Sequence, residues 1–97
     1  MNPYIDLAKT AIENFIKYKN IISPPKDLSE DFFQKKSGVF VSIHKGKELR
    51  GCIGTYLPTK ENLAKEIIHN AIAATRDPRF PPVQAEELPY LSYEVYI

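Results

Sequence analysis

Apolar residues follow two different periods along this chain, and each change of period marks a change of element. Ile5, Ala8, Ile12, Phe15 and Ile16 recur at helical spacing, with Lys9, Glu13 and Lys17 on other faces. Asn2-Pro3 supplies a start, because asparagine favours the cap and proline tolerates the first helical position. The spacing predicts a first helix over about residues 3–19. Ser23-Pro24-Pro25 lies beyond its end, and Ser29–Phe33 is expected to add one short helical turn.

At Gly38 the period becomes two. Val39, Val41 and Ile43 alternate with Phe40, Ser42 and His44, as in a half-buried strand. ELRGCIGTY, residues 48–56, returns as its hairpin partner. A two-residue loop at Lys45-Gly46 would place Val41 on the face of Arg50 and Cys52. A three-residue loop at Lys45-Gly46-Lys47 instead groups Val39, Val41 and Ile43 with Leu49, Gly51 and Ile53. A one-residue slip reverses every side chain, so the apolar match selects the odd loop. Ser42 is then expected to face Arg50, and Phe40 to face Cys52.

Helical spacing resumes in Leu63, Ala64, Ile67, Ile68, Ala71, Ile72 and Ala74, predicting a second helix over about residues 60–76. Thr59 is its expected cap, with Glu61 and Asn62 in the first turn and His69 opposite the apolar stripe. Pro78 ends it near Asp77, since a residue before proline avoids helical geometry. DPRFPPV reads as an extended connector, and Glu86-Glu87-Leu88 as a further helical turn. YLSYEVYI alternates again, with Leu91, Tyr93, Val95 and Ile97 on one face. The sum is an α+β fold, an antiparallel hairpin and a further strand packed with two main helices.

Composition narrows this picture without redirecting it. Ninety-seven residues, 43% hydrophobic and 26% charged, describe one modest globular domain. A net charge of +1 gives no basic stripe for nucleic acid. No apolar run approaches the roughly eighteen residues of a membrane span, and Asp6 interrupts any signal-peptide core. A single cysteine forms no internal disulfide, which predicts a reducing, cytoplasmic setting.

Candidate chemistry concentrates in the second strand. A nucleophilic cysteine needs a neighbouring positive charge, and Arg50 lies two residues from Cys52. No general base accompanies them. His44 is expected opposite Glu48, roughly 13 Å from Cys52 at about 3.3 Å per residue, and His69 faces solvent. The alternative is that Cys52 is simply a small buried hydrophobe. Two histidines and one cysteine that do not converge fall short of a zinc site, so no metal or other cofactor is expected. Gly51 is expected to let the second helix approach, and Gly54 to open space beside Cys52. Gly51-Cys52-Ile53-Gly54 matches the letters of an RNA-clamping GxxG loop, but that loop joins two helices and this one lies in a strand. In DPRFPP, Asp77 at a helix C-terminus opposes the dipole at roughly 0.3–1 kcal/mol, which Arg76 or Arg79 can offset. The segment is either part of a site or simply an Asp-Pro turn with Phe80 plugged into the core.

LRGCIGT, DPRFPPV and EELPYLSYEV together resemble the AMMECR-type domain, called AmmeMemoRadiSam system protein A in bacteria and archaea. The resemblance runs from GVFVSIHKGKELRGCIGT to Ile97, with the first helix in its expected place. It implies an α+β fold of two similar repeats, of which residues 1–97 supply about one, so the domain is expected to be incomplete at the C-terminus. It also implies a binding or accessory role alongside Memo-like and radical-SAM proteins, with the LRGCIG stretch as functional site. Residue by residue that points to Arg50, Gly51, Cys52 and Gly54, joined by Asp77, Arg79 and Phe80. An enzyme using Cys52 as nucleophile, or as a metal ligand completed by another chain, is the alternative. Gln84 departs from the Ser or Thr that often precedes the Glu-Glu-Leu turn. Half a domain ending in an unpaired tyrosine-rich strand is expected to melt early and to self-associate through that edge.

Overall fold

The computed structural model describes residues 2–97 and follows the predicted order of elements. Helix α1 spans Pro3–Tyr18, and the Asn2 side chain accepts hydrogen bonds from the backbone of Tyr4 and Ile5. Its end is a fixed turn, because Lys19 takes a left-handed conformation (φ 55°) and its N–H donates to Phe15. A short helix α2 covers Asp31–Gln34. Strands β1 (Phe40–Lys45) and β2 (Glu48–Gly54) form the hairpin, and α3 spans Leu63–Ala74. A 3-10 helix over Ala85–Tyr90 leads into β3, Leu91–Tyr96.

The three strands form one antiparallel sheet in the order β2-β1-β3, with β1 paired on both sides. Both long helices pack on one face of it. Leu7, Ala8, Ala11 and Ile12 of α1 meet Leu63, Ala64, Ile67 and Ala71 of α3 in the core, above Val41, Ile43 and Tyr93 of the sheet. Burying these side chains at roughly 25 cal/mol per Å² of apolar surface drives the assembly. Among the described residues, the other face of the sheet has no helix against it. It presents Phe40, Ser42 and His44 with Cys52, Gly54, Glu94 and Tyr96, by the alternation of the strands.

The hairpin register differs from expectation. Lys45 pairs with Glu48, so the loop has two residues, Gly46 and Lys47, with Gly46 at φ 63°. Partners run Ser42 to Cys52 and Phe40 to Gly54, two positions along from the expected pairs. A bulge between Ile43 and His44 reconciles the two-residue loop with the apolar pattern. Partners step from Gly51 to Leu49, leaving Arg50 as the extra residue. Val41 therefore pairs with Ile53 and Ile43 with Gly51 as grouped, but Leu49, expected on the same face, pairs with His44 beyond the bulge and is exposed.

The cap of α3 also differs. Asn62, not Thr59, receives the Lys65 N–H on its side chain, at 2.9 Å. Thr59 is occupied elsewhere, donating through its backbone and its hydroxyl to Glu66, both at 2.7 Å.

Candidate functional site

Cys52 sits mid-strand in β2, half-buried on the sheet face away from the helices. The Ser42 hydroxyl across the hairpin donates to its sulfur at 3.2 Å. The backbone of Cys52 points outward from the hairpin. Its N–H donates to Asp77 Oδ2 at 3.0 Å, and its carbonyl accepts from an Arg79 guanidinium nitrogen at 3.2 Å. Asp77 and Arg79 thus occupy the free edge of β2 with one acceptor and one donor, the two groups a further strand would offer.

The two residues hold each other. Arg79 gives Asp77 its backbone N–H and Nε, at 3.0 and 3.1 Å, and a terminal nitrogen at 2.7 Å. Asp77 is buried whereas the Arg79 side chain is 61% exposed. The Arg79 hydrogen bond is the chief reason the Asp77 carboxyl lies well below the usual range; burial opposes it, and the Arg79 and Cys52 N–H groups assist. This buried carboxylate keeps its charge through the physiological range. The guanidinium also lies over the Phe80 ring, 5.5 Å from its centroid. Phe80 itself is half-buried and stands outside the core cluster, so of the two readings of this segment the core plug does not hold.

Arg50 has a different assignment from the one its spacing suggested. As the bulged residue it leaves the alternation of β2, and its Nε and NH2 donate to Glu87 at 2.8 and 3.1 Å. A further bond joins it to the Pro82 carbonyl at 3.2 Å. Both side chains of the pair are only 14% exposed. Held by Arg50 first, and by the Gln84 N–H and Lys45, Glu87 titrates at about 2 despite its burial. The cation against Cys52 is therefore Arg79, contributed by a segment twenty-odd residues away that strand spacing alone does not reveal.

The two glycines are explained by close approach. A Cβ at Gly51 would overlap the Ala74 carbonyl oxygen at the end of α3, so the bare backbone is what lets the helix seat there. A Cβ at Gly54 would overlap the Phe40 ring, which lies across it and meets Tyr56 edge-on at 5.2 Å. The space expected beside Cys52 is filled by that ring.

One carboxylate escaped the sequence reading. Glu66 in α3 is fully buried. It accepts from the Thr59 N–H and hydroxyl, the Lys60 N–H at 2.9 Å and the Thr55 hydroxyl at 3.1 Å, with Asn70 at 3.4 Å. Burial by itself pushes this carboxyl up, but the Thr59, Lys60 and Thr55 donors outweigh it and the net shift is downward. Its signal was slight: at about 100° per residue, Asn70 and Glu66 lie roughly 20° and 60° beyond Leu63, flanking the apolar stripe rather than on it. Among the described residues no three His, Cys, Asp or Glu side chains are grouped as metal ligands.

Fold and motif together define a class: a two-layer α+β domain whose LRGCIG strand is braced by a following Asp-Pro-Arg segment. A family model described as AMMECR1 matches residues 5–97, and the chain belongs to that family. A protein of Thermotoga maritima is 54% identical over 89 residues, covering 90% of this chain and 51% of that protein. One from Thermococcus kodakarensis is 40% identical, covering 96% of this chain and 47% of its own length. The crystal structure of an uncharacterized protein from Pyrococcus horikoshii superposes with a TM-score of 0.88 at 40% identity, over 95% of this chain and 47% of that one. The chain spans about half the length of these relatives.

Proposed function

We propose that this chain is a binding module whose open sheet face around Cys52 receives a partner protein. The observation that carries this reading is the use of the charged residues. Arg50 and Glu87, and Asp77 and Arg79, brace backbone and connecting segments, while among the described residues the thiol receives the Ser42 hydroxyl alone. A braced, partly apolar face with Phe40 and an exposed Tyr96 suits recognition more than proton transfer. On the family resemblance, the partners are Memo-like and radical-SAM proteins of a cytoplasmic modification system, and the full-length protein acts as their accessory. No helix of the described residues is long and apolar enough to cross a membrane.

A second reading, an enzyme with Cys52 as nucleophile, draws on the Arg79 guanidinium held at the Cys52 carbonyl. The rate of Cys52 alkylation against pH separates the two. A thiol titrating near its ordinary value of about 8.5 fits the binding module, and thiolate chemistry well below about pH 7 supports the nucleophile. The direct test is a pull-down with the full-length protein, wild type against Cys52→Ala, Arg50→Ala and Arg79→Ala. Loss of a specific partner in the Cys52 and Arg79 variants is expected. Unchanged partners together with lost cellular activity would sink the binding reading.

A further inference from the structure

A notch of about 540 Å³ lies on the helical layer, lined by the end of α1, the segment after it and α3. The fixed left-handed turn at Lys19 sends the chain along this line, and Pro24 and Pro25 stiffen the connection beyond it. Ile22 and Pro24 line one side; Ile68 and Ile72 of α3 line the other. The polar residues of the lining are Ser23, Lys65, His69 and Arg76, and no acidic side chain is among them. Lys65 is ion-paired with Glu61, outside the lining, whereas among the described residues no carboxylate pairs with Arg76. Phe15 and Arg76 also line a neighbouring cleft of similar volume, where Glu86 is the one acid.

Such a site has an apolar body and a cationic end, at a volume typical of small-ligand pockets. We infer that it binds a small amphipathic carboxylate, with the apolar part against Ile68 and Ile72 and the carboxylate at Arg76. The charge pattern selects the ligand class. A neutral apolar molecule leaves Arg76 unused, and a cation meets Lys65 and His69, one turn apart on α3, and Arg76 in the turn that follows the helix. A planar guanidinium suits a carboxylate, which it can engage through two parallel hydrogen bonds. This site is formed by the helical layer, whereas Cys52 lies on the sheet face without helices, so it stands or falls apart from the binding face proposed above.

Decanoate is a suitable probe, with decanol and decyltrimethylammonium as comparators of equal chain length. Titration of the chain followed by amide NMR is expected to move the resonances of Ile68, His69, Ile72 and Arg76 with decanoate. Arg76→Gln should weaken decanoate about tenfold, the loss of one charge-assisted hydrogen bond, while leaving decanol unchanged. Ala73→Trp, which fills the notch from α3, should abolish both; helical circular dichroism and melting confirm that each variant is folded. Decanol binding as tightly as decanoate would overturn the inference, as would decanoate binding untouched by Ala73→Trp. Concentration-dependent shifts of the same resonances without any ligand would mark the notch as a contact between copies and overturn it equally.

Discussion

Two buried carboxylates fasten α3 to the LRGCIG strand and its exit, and they do so by different physics. Glu66, one turn into the helix, is enclosed by neutral donors of Thr55, Thr59, Lys60 and Asn70. Asp77, just past the other end, is clamped by one guanidinium whose outer side is in solvent. The first distributes its charge over fixed dipoles in low dielectric, where each lost donor leaves an unsatisfied group. The second rests on an ion pair that water and salt reach from one side. Protein segments without regular structure can therefore be held either by geometry or by charge, and the two responses to perturbation differ.

The largest effect should come from Glu66→Ala. Removing the carboxylate strands two N–H groups and two hydroxyls, a loss of about 3 kcal/mol or more. That corresponds to a drop in Tm of about 4–8 °C for each kcal/mol in a domain this size. Glu66→Gln keeps one acceptor oxygen and should lose less; a wild-type melting curve for Glu66→Ala would break the contrast at its stronger end. Asp77→Asn ranks next, at about 1–2 kcal/mol, since the amide retains the shape and one acceptor. Raising salt should narrow the gap between Asp77→Asn and wild type and leave that of Glu66→Gln unchanged. Equal salt responses in thermal melts would show that both carboxylates work alike.

Acid sharpens the same comparison through a third pair. Glu87 is depressed from 4.5 to about 2, with Arg50 the main cause. A depressed carboxylate contributes stability that is fully present above its unfolded value and is lost as pH falls through its folded value. Denaturant midpoints should therefore fall between about pH 4.5 and about pH 2, and Glu87→Gln should flatten that slope. The smallest effect belongs to Cys52→Ala, within about 1 kcal/mol, because a half-buried thiol with one weak hydrogen bond holds little in place. A larger loss would mean that the thiol is part of the bracing.

These expectations rest on parts of the molecule that were unequally legible in the sequence. Helix α1 announced itself, because Asn2, Pro3 and the apolar spacing all point to one start and one face. The inward set Val41, Ile43, Gly51 and Ile53 was legible by parity. The absolute register was not, because a bulge at Arg50 adds one residue without altering the composition on either side. The same bulge redirected Arg50 to Glu87, a pairing between distant segments that no local period encodes. Thr59 looked like a cap because caps and buried-carboxylate donors draw on the same residue types. Glu66 flanks the apolar stripe instead of lying on it, so the periodicity left it out, although Thr55 and Thr59 supply the hydroxyls that make its burial tolerable.

The central position of β1 has a consequence for synthesis. Lys45 pairs with Glu48 on one side and with Leu91 on the other, so its two partners leave the ribosome roughly forty residues apart. At roughly 5–20 residues per second that interval lasts about 2–8 s, whereas a hairpin closes in about 1–10 μs. During translation β1 can therefore be paired with β2 along one edge while its other edge, including Val41 and Ile43, awaits β3. That nascent edge is a template for pairing with another chain. The duration of the hazard is set by the pace of elongation through α3 and the proline-rich connector, not by how fast the strands themselves can meet.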